Sequence, residues 1–557
     1  MTNFKAPEPS LFYSFPLQVQ EQAKLDALMD LLEASGVKNY ITSYDHCAAT
    51  GRPAFNPYQL FAAIVLGFSL GKASLREIEA FSKFDLRFIY LTGESSPDHS
   101  TIGRFINQSI KPNIDKIFAC IMAQMFKQFG ATMDTVFIDG TKQEARPNKY
   151  KFVWKPTYFH QRLCGKIRSL LQKLGLSSDV PSEGIFHSNI LLKKLGEAQK
   201  IIPEEIGITK VAFEKMKSSL YEYLQKALEY EEKERICGIN RNSYYKTDHD
   251  ATAMCLKEDY YSGIGSNMHA AYNVQIMVSH GLIVSFYVSQ NRSDALTLKP
   301  ALLRFHEMYH HFPERLGADA GYGSFDNYKF CFDNKISAFI KYGAWSGESS
   351  GRNPALYEYL EDGSIVCLGK RKGYPEIPPK WHPGKRGAIL YLVKDCDSCE
   401  FMHYCRRFNK EREGSERRFE IIPQYSILKQ KARDMLLSRE GIEMRINRSC
   451  QVEGAFGVIK SNMSYDRFRR ISLERVSTEF ALTCLGYNFR KFMRYSKKGE
   501  LAAYWNAPED LQPEKFKQPS AKRIERRMSR EKTLQPNEMA RAVRRAKKRR
   551  GAAKVQS

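Results

Sequence analysis

Arg448-Ser-Cys-Gln-Val-Glu453-Gly-Ala-Phe-Gly-Val-Ile-Lys460 sets an acid and a base on either side of small and apolar residues. As a helix it would place Glu453 and Lys460 two turns apart on one face, with Phe456 and Gly457 between them on the same stripe. An acid and a base would then point at one target. Gly457 costs helix stability relative to Ala, so a small residue there suggests close approach to the backbone, by a phosphate chain or by a neighbouring helix. Taken alone, the pattern is better explained as a salt-bridged amphipathic helix. Two aspartates far upstream, Asp139 and Asp319, reverse that balance.

Each of these aspartates is expected at the end of a short strand. Thr135-Val-Phe-Ile138 is a β-branched and aromatic run that meets Asp139-Gly140, and Leu316-Gly-Ala318 leads into Asp319-Ala-Gly-Tyr-Gly323. Between them, Tyr272, Val274, Ile276 and Val278 alternate, Ser279-His-Gly281 turns, and Leu282, Val284, Phe286 and Val288 alternate back, which predicts an antiparallel hairpin. Ser293 or Asp294 is expected to cap a short turn, followed by a helix from Pro300 that buries Leu302, Leu303 and Phe305. A helix near Ser324 and a strand over Ile336 to Tyr342 follow. The order is a strand ending in Asp139, hairpin, helix, strand ending in Asp319, helix, strand, and a later helix carrying Glu453. Such a mixed α/β arrangement can converge three carboxylates. Asp248 and Asp250, in Thr-Asp-His-Asp-Ala, rank lower because no apolar strand runs directly into them.

Three carboxylates suit phosphodiester chemistry, where two hard cations roughly 3.5 to 4 Å apart activate the nucleophile and stabilise the leaving oxygen. Asp-Gly by itself is weak, being common in turns. Specificity comes from several motifs together: Phe137-Ile-Asp139-Gly-Thr-Lys142, Asn148-Lys-Tyr-Lys-Phe-Val-Trp-Lys155, Ala318-Asp319-Ala-Gly-Tyr322, Val452-Glu453-Gly-Ala-Phe-Gly-Val-Ile-Lys460 and Tyr465-Asp-Arg-Phe-Arg-Arg470. In this order, from about Phe55 to Phe492, they resemble bacterial insertion-sequence transposases of the DDE class, most closely the insertion sequence 1182 type.

The resemblance implies an RNase H-like catalytic domain with Asp139, Asp319 and Glu453 as ligands of Mg²⁺ or Mn²⁺. It also matches Arg448 and Lys460 to the basic residues of the family's Tyr-Arg-Glu-Lys signature, which hold the DNA terminus. Two departures stand out: Arg445 occupies the tyrosine position, and Arg448 precedes Glu453 by five residues rather than four. Arg467, Arg469 and Arg470 in the last motif, and Arg104 in the N-terminal helices, are further candidates for DNA contact. The implied function is binding of terminal inverted repeats, metal-dependent strand cleavage and strand transfer. Its rivals are a metal-dependent nuclease without joining activity, a non-catalytic DNA-binding descendant of a transposase, and a basic RNA-associated protein. Pairing of two DNA ends implies a homodimer.

The expected fold class is α/β, an RNase H-like mixed sheet with helical and Cys-containing insertions, preceded by an all-α N-terminal domain. Residues 1–125 read as helical and DNA-end-binding. From Pro57 the positions Leu60, Phe61, Ile64, Val65 and Phe68 keep helical spacing. Ser74-Leu-Arg-Glu77 matches a capping box. Ser96-Pro97 opens a third helix, with His99, Thr101, Arg104 and Asn107 facing outward. Such helices fit a helix-turn-helix reader and a plain bundle equally well. The catalytic domain covers 126–498. It holds the alternating basic and aromatic run Lys149 to Lys155, which suits base stacking or a solvated edge strand, and a helical insertion at about 159–236. A second insertion, at about 343–425, carries Cys367, Cys396, Cys399 and Cys405. Cys396-x-x-Cys399 is a zinc half-site that Cys367 or Cys405 could complete, but the paired half-sites of a typical zinc ribbon are missing, which favours reduced packing cysteines.

Composition agrees with a nucleic-acid partner. The chain has 557 residues, 43% hydrophobic, which is enough for two or three domains, and a formal charge of +24 with pI near 9.4. Basic proteins gain affinity for polyanions by releasing counterions. Half of that excess lies in residues 514–557, where sixteen Lys/Arg face four Glu and Arg544-Arg-Ala-Lys-Lys-Arg-Arg550 is the densest run. Residues 499–557 therefore read as a basic, disordered tail. No apolar run approaches the roughly 20 residues of a membrane span, no secretory pattern opens the chain, and twelve scattered cysteines suit a reducing cytoplasm and a nucleoid-associated protein.

Overall fold

The computed structural model describes residues 19–41, 55–93, 95–239, 241–256, 268–377, 387–409 and 414–533. The densest basic run of the tail lies outside them. Helices α1 (Val19–Ala34), α2 (Pro57–Ser69), α3 (Leu75–Phe84), α4 (Leu86–Thr92), α5 (His99–Phe105) and α6 (Ile114–Gln128) come first. Pro57 opens α2 at the first position where its missing N–H costs nothing, and the Asn56 side chain accepts from Tyr58 N at 2.9 Å. Eleven of its thirteen residues are buried, and a helix apolar all round must be covered all round.

The expected capping box is not made. Ser74 forms no side-chain cap bond, and Glu77 instead faces Arg469 at 3.2 Å and Lys72 at 3.9 Å. Asp98, rather than Ser96, caps α5 through Thr101 N at 2.7 Å. Of the set expected to face outward, Thr101 is buried, while His99 Nδ1 meets Glu79 at 2.7 Å.

The sheet that follows combines β1 (Thr135–Glu144), β4 (Thr252–Cys255), β5 (Met268–Ser279), β6 (Leu282–Ser289), β7 (Arg315–Ala318) and β8 (Ser337–Ile340). Its order is β4-β5-β1-β7-β8, with β6 also on β5. β5 runs antiparallel to β1, β4 and β6, whereas β1, β7 and β8 are parallel. The hairpin is where alternation placed it, turned by His280 (φ 50°) and Gly281 (φ 76°). Between β6 and β7, helix α10 (Leu298–Tyr309) starts two residues earlier than expected, and Leu303 is 40% exposed rather than buried. Helix α11 (Phe325–Asp333) crosses from β7 to β8.

Two insertions interrupt this frame. Strand β2 (Phe152–Trp154), paired with β3 (Ser243–Tyr245), frames α7 (Thr157–Lys173), α8 (Ser188–Ala198) and α9 (Lys210–Cys237). These helices bury Leu163, Ile167, Leu171, Leu195, Phe213 and Leu220 in a cluster of their own. After β8, five short strands β9 to β13 between Tyr357 and Ile421 form a separate antiparallel sheet.

The chain returns through α12 (Pro423–Leu437), α13 (Arg439–Arg448) and the long α14 (Leu473–Lys498) to α15 (Ala521–Thr533). Residues 499–507, expected in a disordered tail, are instead built into the body. Tyr504 stacks on His280 at a ring separation of 4.3 Å, and Trp505 N donates to Asn447 Oδ1 at 2.8 Å. Among the described residues no helix is long and apolar enough to cross a membrane.

Helix α14 joins the N-terminal helices to the sheet, and their buried side chains form one continuous cluster. It lies against α2 at Gly486, where an added Cβ would stand 2.6 Å from the carbonyl carbon of Phe68 and 2.7 Å from Ser69 N. Both obstacles are backbone, so neither helix can yield by turning a side chain. Gly486→Ala should cost about 1–3 kcal/mol of stability in denaturant unfolding; a loss below about 0.5 kcal/mol, the scale of an ordinary surface change, would contradict this crossing.

Candidate active site

Strand register brings the two aspartates near one another. β1 and β7 run parallel with Phe137 opposite Gly317; β7 ends at Ala318, so Asp319 follows directly on the paired segment, and its charge is felt by Asp139. Gly317 permits the approach, since a Cβ there would lie 2.6 Å from the Phe137 ring. The turn after β7 is fixed by Asp319 itself, whose carboxylate accepts from Gly321 N at 2.8 Å.

Strand β1 does not end at Asp139. It continues to Glu144, with Gly140 opposite Gln275 of β5. The Asp-Gly pair, read as a strand terminus, is therefore mid-strand, and the glycine serves a different need. An added Cβ at Gly140 would lie 2.6 Å from Gln275 Oε1 and 2.8 Å from its Cδ. The fully buried Gln275 uses that room to donate to Asn273 Oδ1 at 3.0 Å and Asp294 Oδ1 at 3.3 Å, and to accept from the Tyr322 hydroxyl. Asn273 donates to the same Asp294 oxygen at 2.7 Å. A point beside Gly321 lies 3.0 Å from Asp319 Oδ1 and 3.5 Å from Asp294 Oδ2. Asp294, expected only as a helix cap, is thus a fourth carboxylate at the site. The signal available in the sequence was Gln275, a lone long polar side chain between Val274 and Ile276 in a buried strand, which must find partners.

The other face of the site comes from the stretch after α13. The expected regular helix over 448–460 is instead a π turn (Ser449–Glu453), one α turn (Gly454–Gly457) and a second π turn (Val458–Asn462). Wide turns of this kind re-aim side chains and recur at functional sites. Glu453 and Lys460 are therefore not two regular turns apart; Lys460 is drawn to β1, while Glu453 is 62% exposed and reaches β1 only through Arg448. Arg448 Nη1 reaches Asp139 Oδ2 at 3.2 Å and its Nη2 lies 3.6 Å from Glu453 Oε1. Ser449 Oγ donates to the same glutamate oxygen at 3.1 Å, and Lys460 Nζ donates to Thr141 Oγ1 at 2.8 Å. One face of β1 is thus covered in sequence by this segment: Asp139 by Arg448, Thr141 by Lys460, and Gln143 by the Tyr465 carbonyl at 3.3 Å. Gly457 and Gly454 have no atom within 4 Å of an added Cβ, so among the described residues no helix packs there.

The remaining sequence candidates lie elsewhere or are engaged. Asp248 is buried and accepts from Tyr272 Oη at 2.9 Å and Ser472 N at 3.2 Å, while Asp250 accepts from Leu473 N at 2.9 Å. Both tie a loop to the start of α14. Arg467 donates to the carbonyls of Ala145 and Arg146, Arg469 pairs with Glu77, and Arg104 donates to Thr101 Oγ1 at 3.2 Å. Burial pushes the Arg470 guanidinium down despite the charge of Glu479. Cys367, Cys396, Cys399 and Cys405 gather in the second insertion, in a different part of the fold.

Burial pushes the Asp139 carboxyl up to about 6; Arg448 opposes the shift, while Asp319 and Asp294 add to it. This is the expected behaviour of clustered carboxylates away from water. Among the described residues, no group of three or more His, Cys, Asp or Glu side chains is arranged to hold a metal ion as it stands. The donor types nevertheless suit a hard cation, because Asp139 and Asp319 offer carboxylate oxygens near one another and Glu453 is tied to Asp139 through a single guanidinium.

With this geometry in place, two segments match family models: residues 379–493 the model described as Transposase DDE domain, and residues 13–108 the one described as Transposase domain (DUF772). No curated protein and no solved structure matched the chain. The two matches indicate a transposase of the DDE family. The first contains Glu453 and Lys460; Asp139 and Asp319 lie outside both.

The weakened acidity of Asp139 bears on stability. The folded-state value of about 6 exceeds the ordinary 3.8, so the folded protein retains a proton that the unfolded chain has lost. Stability must fall as pH rises from about 4 to about 6 and stay low above that. Asp139→Asn, which mimics the protonated form, should raise stability at pH 7 by roughly 3 kcal/mol, with the gain vanishing below about pH 4. Equal stability of the two proteins at pH 7 would refute the buried-charge description.

Proposed function

We propose that the chain is a DNA transposase of the insertion sequence 1182 type, which binds the terminal inverted repeats of its element, cleaves at their ends and joins the freed 3′-hydroxyl to target DNA. The observation that carries this reading is the approach of Asp319, directly after β7, to Asp139 in the adjacent parallel strand β1, with Arg448 linking Asp139 to Glu453. The sheet order, a three-stranded antiparallel part β6-β5-β1 extended by parallel β7 and β8, supports an RNase H-like catalytic core.

Asp139, Asp319 and Glu453 would hold Mg²⁺ or Mn²⁺, and a divalent cation bound there supplies Lewis-acid activation of the nucleophile and neutralises charge on the leaving oxygen. Asp139 is poised for that role, since a buried carboxylate beside two others gains most from a cation. Arg448 has two possible partners. With DNA absent it neutralises Asp139 and Glu453; a terminal phosphate offers it a bidentate alternative and releases both carboxylates. Lys460, one residue pair along β1 from the aspartate, is placed to hold the same strand end as a point charge. The exposed Tyr150, Phe152 and Trp154, interleaved with Lys149, Lys151 and Lys155, present stacking faces between cations on the strand leaving β1. The net positive charge supplies non-specific affinity for DNA. Two DNA ends brought together imply a homodimer, acting at the nucleoid.

Asp139→Asn, Asp319→Asn and Glu453→Gln should each lower strand cleavage of an end-containing duplex by roughly 100-fold or more while leaving end binding in a gel-shift assay intact. Cleavage retained in any one removes that residue from the site. Pre-cut ends supplied to the wild-type protein should be joined to target DNA; hydrolysis without joining would make the protein a nuclease instead. Lys460→Ala should weaken end binding and reduce the slope of log affinity against log salt by about one, and an unchanged slope would show that Lys460 meets no phosphate.

A further inference from the structure

The second insertion, β9 to β13, is held by little apolar burial. Its own cluster contains five buried side chains, Ile365, Tyr391, Val393, Phe419 and Ile421. A module of this size ordinarily needs a staple in addition to its core. Packed against that cluster are Cys367, Cys396 and Cys405, and Cys399 packs on the adjoining one formed by Phe401, Tyr404 and Ile524. The four cysteines come from two places, the turn after β10 (Ile365–Cys367) and the 396–405 loop after β12 (Ile389–Val393). All four line one cavity of about 20 Å³, together with Arg406 and Arg417. That volume admits roughly one water-sized occupant.

The local backbone is organised around sulfur. Lys370 takes φ 60° so that the turn closes, with Lys370 N donating to the Cys367 carbonyl at 2.8 Å and Arg371 N donating to Cys367 Sγ at 3.4 Å. Across the cavity Cys399 N donates to the Cys396 carbonyl at 3.1 Å, and Arg371 Nη2 donates to Ser398 Oγ at 3.0 Å, clamping one loop to the other. A point beside Gly369 lies 2.6 Å from Cys399 Sγ and 3.8 Å from Cys367 Sγ, so those two sulfurs are separated by no more than the sum of these distances. A Cβ at that glycine would strike the Cys399 sulfur, so the chain keeps this space clear. Arg417 Nε is buried with no hydrogen-bond partner. Burial pushes the Cys396 and Cys405 thiols up, and Arg406 and Arg417 respectively pull them back.

We propose that Cys367, Cys396, Cys399 and Cys405 form a structural zinc site that staples the insertion. The thiols surround the cavity without standing at ligand distance, so metal entry draws them inward to about 2.3 Å from the ion. Four protons leave as four Zn–S bonds form, and no oxidant or reductant is consumed. The resulting tetrathiolate carries a net charge of about −2, which Arg406 and Arg417 are placed to offset; the unpartnered Arg417 Nε gains a sulfur acceptor. Helix α15 rests on the same loop through Ile524 against Phe401 and Tyr404. The zinc therefore also anchors the C-terminal basic helix, and with it the start of the charged tail. This inference stands apart from the cleavage chemistry, and either can fail without the other.

The direct test is metal analysis of the full-length protein purified without chelator or affinity metal. About one zinc per chain is expected, released by a mercurial thiol reagent. Cobalt substitution should give the strong sulfur-to-metal charge transfer and intense visible bands of a tetrahedral tetrathiolate. Cys396→Ser and Cys399→Ser should lose the metal, whereas Cys120→Ser, far from the cluster, should retain it. Zinc removal from the wild-type protein should expose the Lys- and Arg-rich α15 to trypsin. A wild-type protein that neither contains zinc nor takes up zinc or cobalt, or that gives a weak octahedral cobalt spectrum, overturns the proposal even if the serine variants fail to fold.

Discussion

One guanidinium governs the structure of this site. Arg448 lies between Asp139, in the middle of the first strand, and Glu453, five residues ahead of it in the return segment, and is itself only 15% exposed. The charges of Asp319 and Asp294 also act on Asp139, and burial drives it toward its protonated form. A single planar cation with donors on two edges is the economical answer, because it satisfies both carboxylates without filling the space between Asp139 and Asp319. The site is therefore assembled but electrostatically tense in the absence of ligands. Tension of this kind is the usual cost of a site prepared for a cation and a polyanion.

The fold imposes that tension through long-range packing. Parallel register of β1 and β7 brings Asp319, which follows β7, near Asp139. The missing side chain of Gly140 lets Gln275 run under the strand to Asp294 and Tyr322. Behind the return segment, the buried Glu479 of α14 accepts from Tyr465 Oη at 2.9 Å and from the backbone of Arg469 and Arg470 at 3.0 and 2.8 Å. That carboxylate pins the loop after Lys460, so α14 braces the return segment. The same helix is wedged on α2, which makes the N-terminal helices part of the scaffold that positions the chemistry.

Local signals in the sequence were legible, and non-local ones were not. Alternation and a His-Gly turn placed the β5–β6 hairpin, and apolar runs meeting an aspartate placed β1 and β7. Neither pattern contains the pairing of Phe137 with Gly317, which depends on strands far apart in the chain. Turn chemistry misassigned Asp139-Gly140, because Gly relieves a cross-strand side chain there and makes no bend. Helical periodicity cannot reveal π turns, since the φ and ψ of such residues differ little from those of a regular helix. Leu303 and Thr101 fell on the wrong side of their helices because a short amphipathic helix leaves its boundary positions poorly determined. Residues 499–507 lacked any period and so read as tail, yet Tyr504 and Trp505 find individual partners that only the folded body supplies. The DDE-type assignment therefore rested on motifs in a fixed order, and the match over residues 379–493 covers only the last part of that order.

The proposed chemistry requires Asp139, Asp319 and Glu453 to share a pair of divalent cations. Replacing Mg²⁺ with Fe²⁺ and adding ascorbate and peroxide generates hydroxyl radicals at the bound ion, which cut the nearest backbone. Mapping the fragments tests all three residues in one experiment without altering any of them. Cuts should cluster around residues 139, 319 and 453 and be suppressed by excess Mg²⁺. Cuts confined to one of these stretches, or scattered without Mg²⁺ competition, would contradict it.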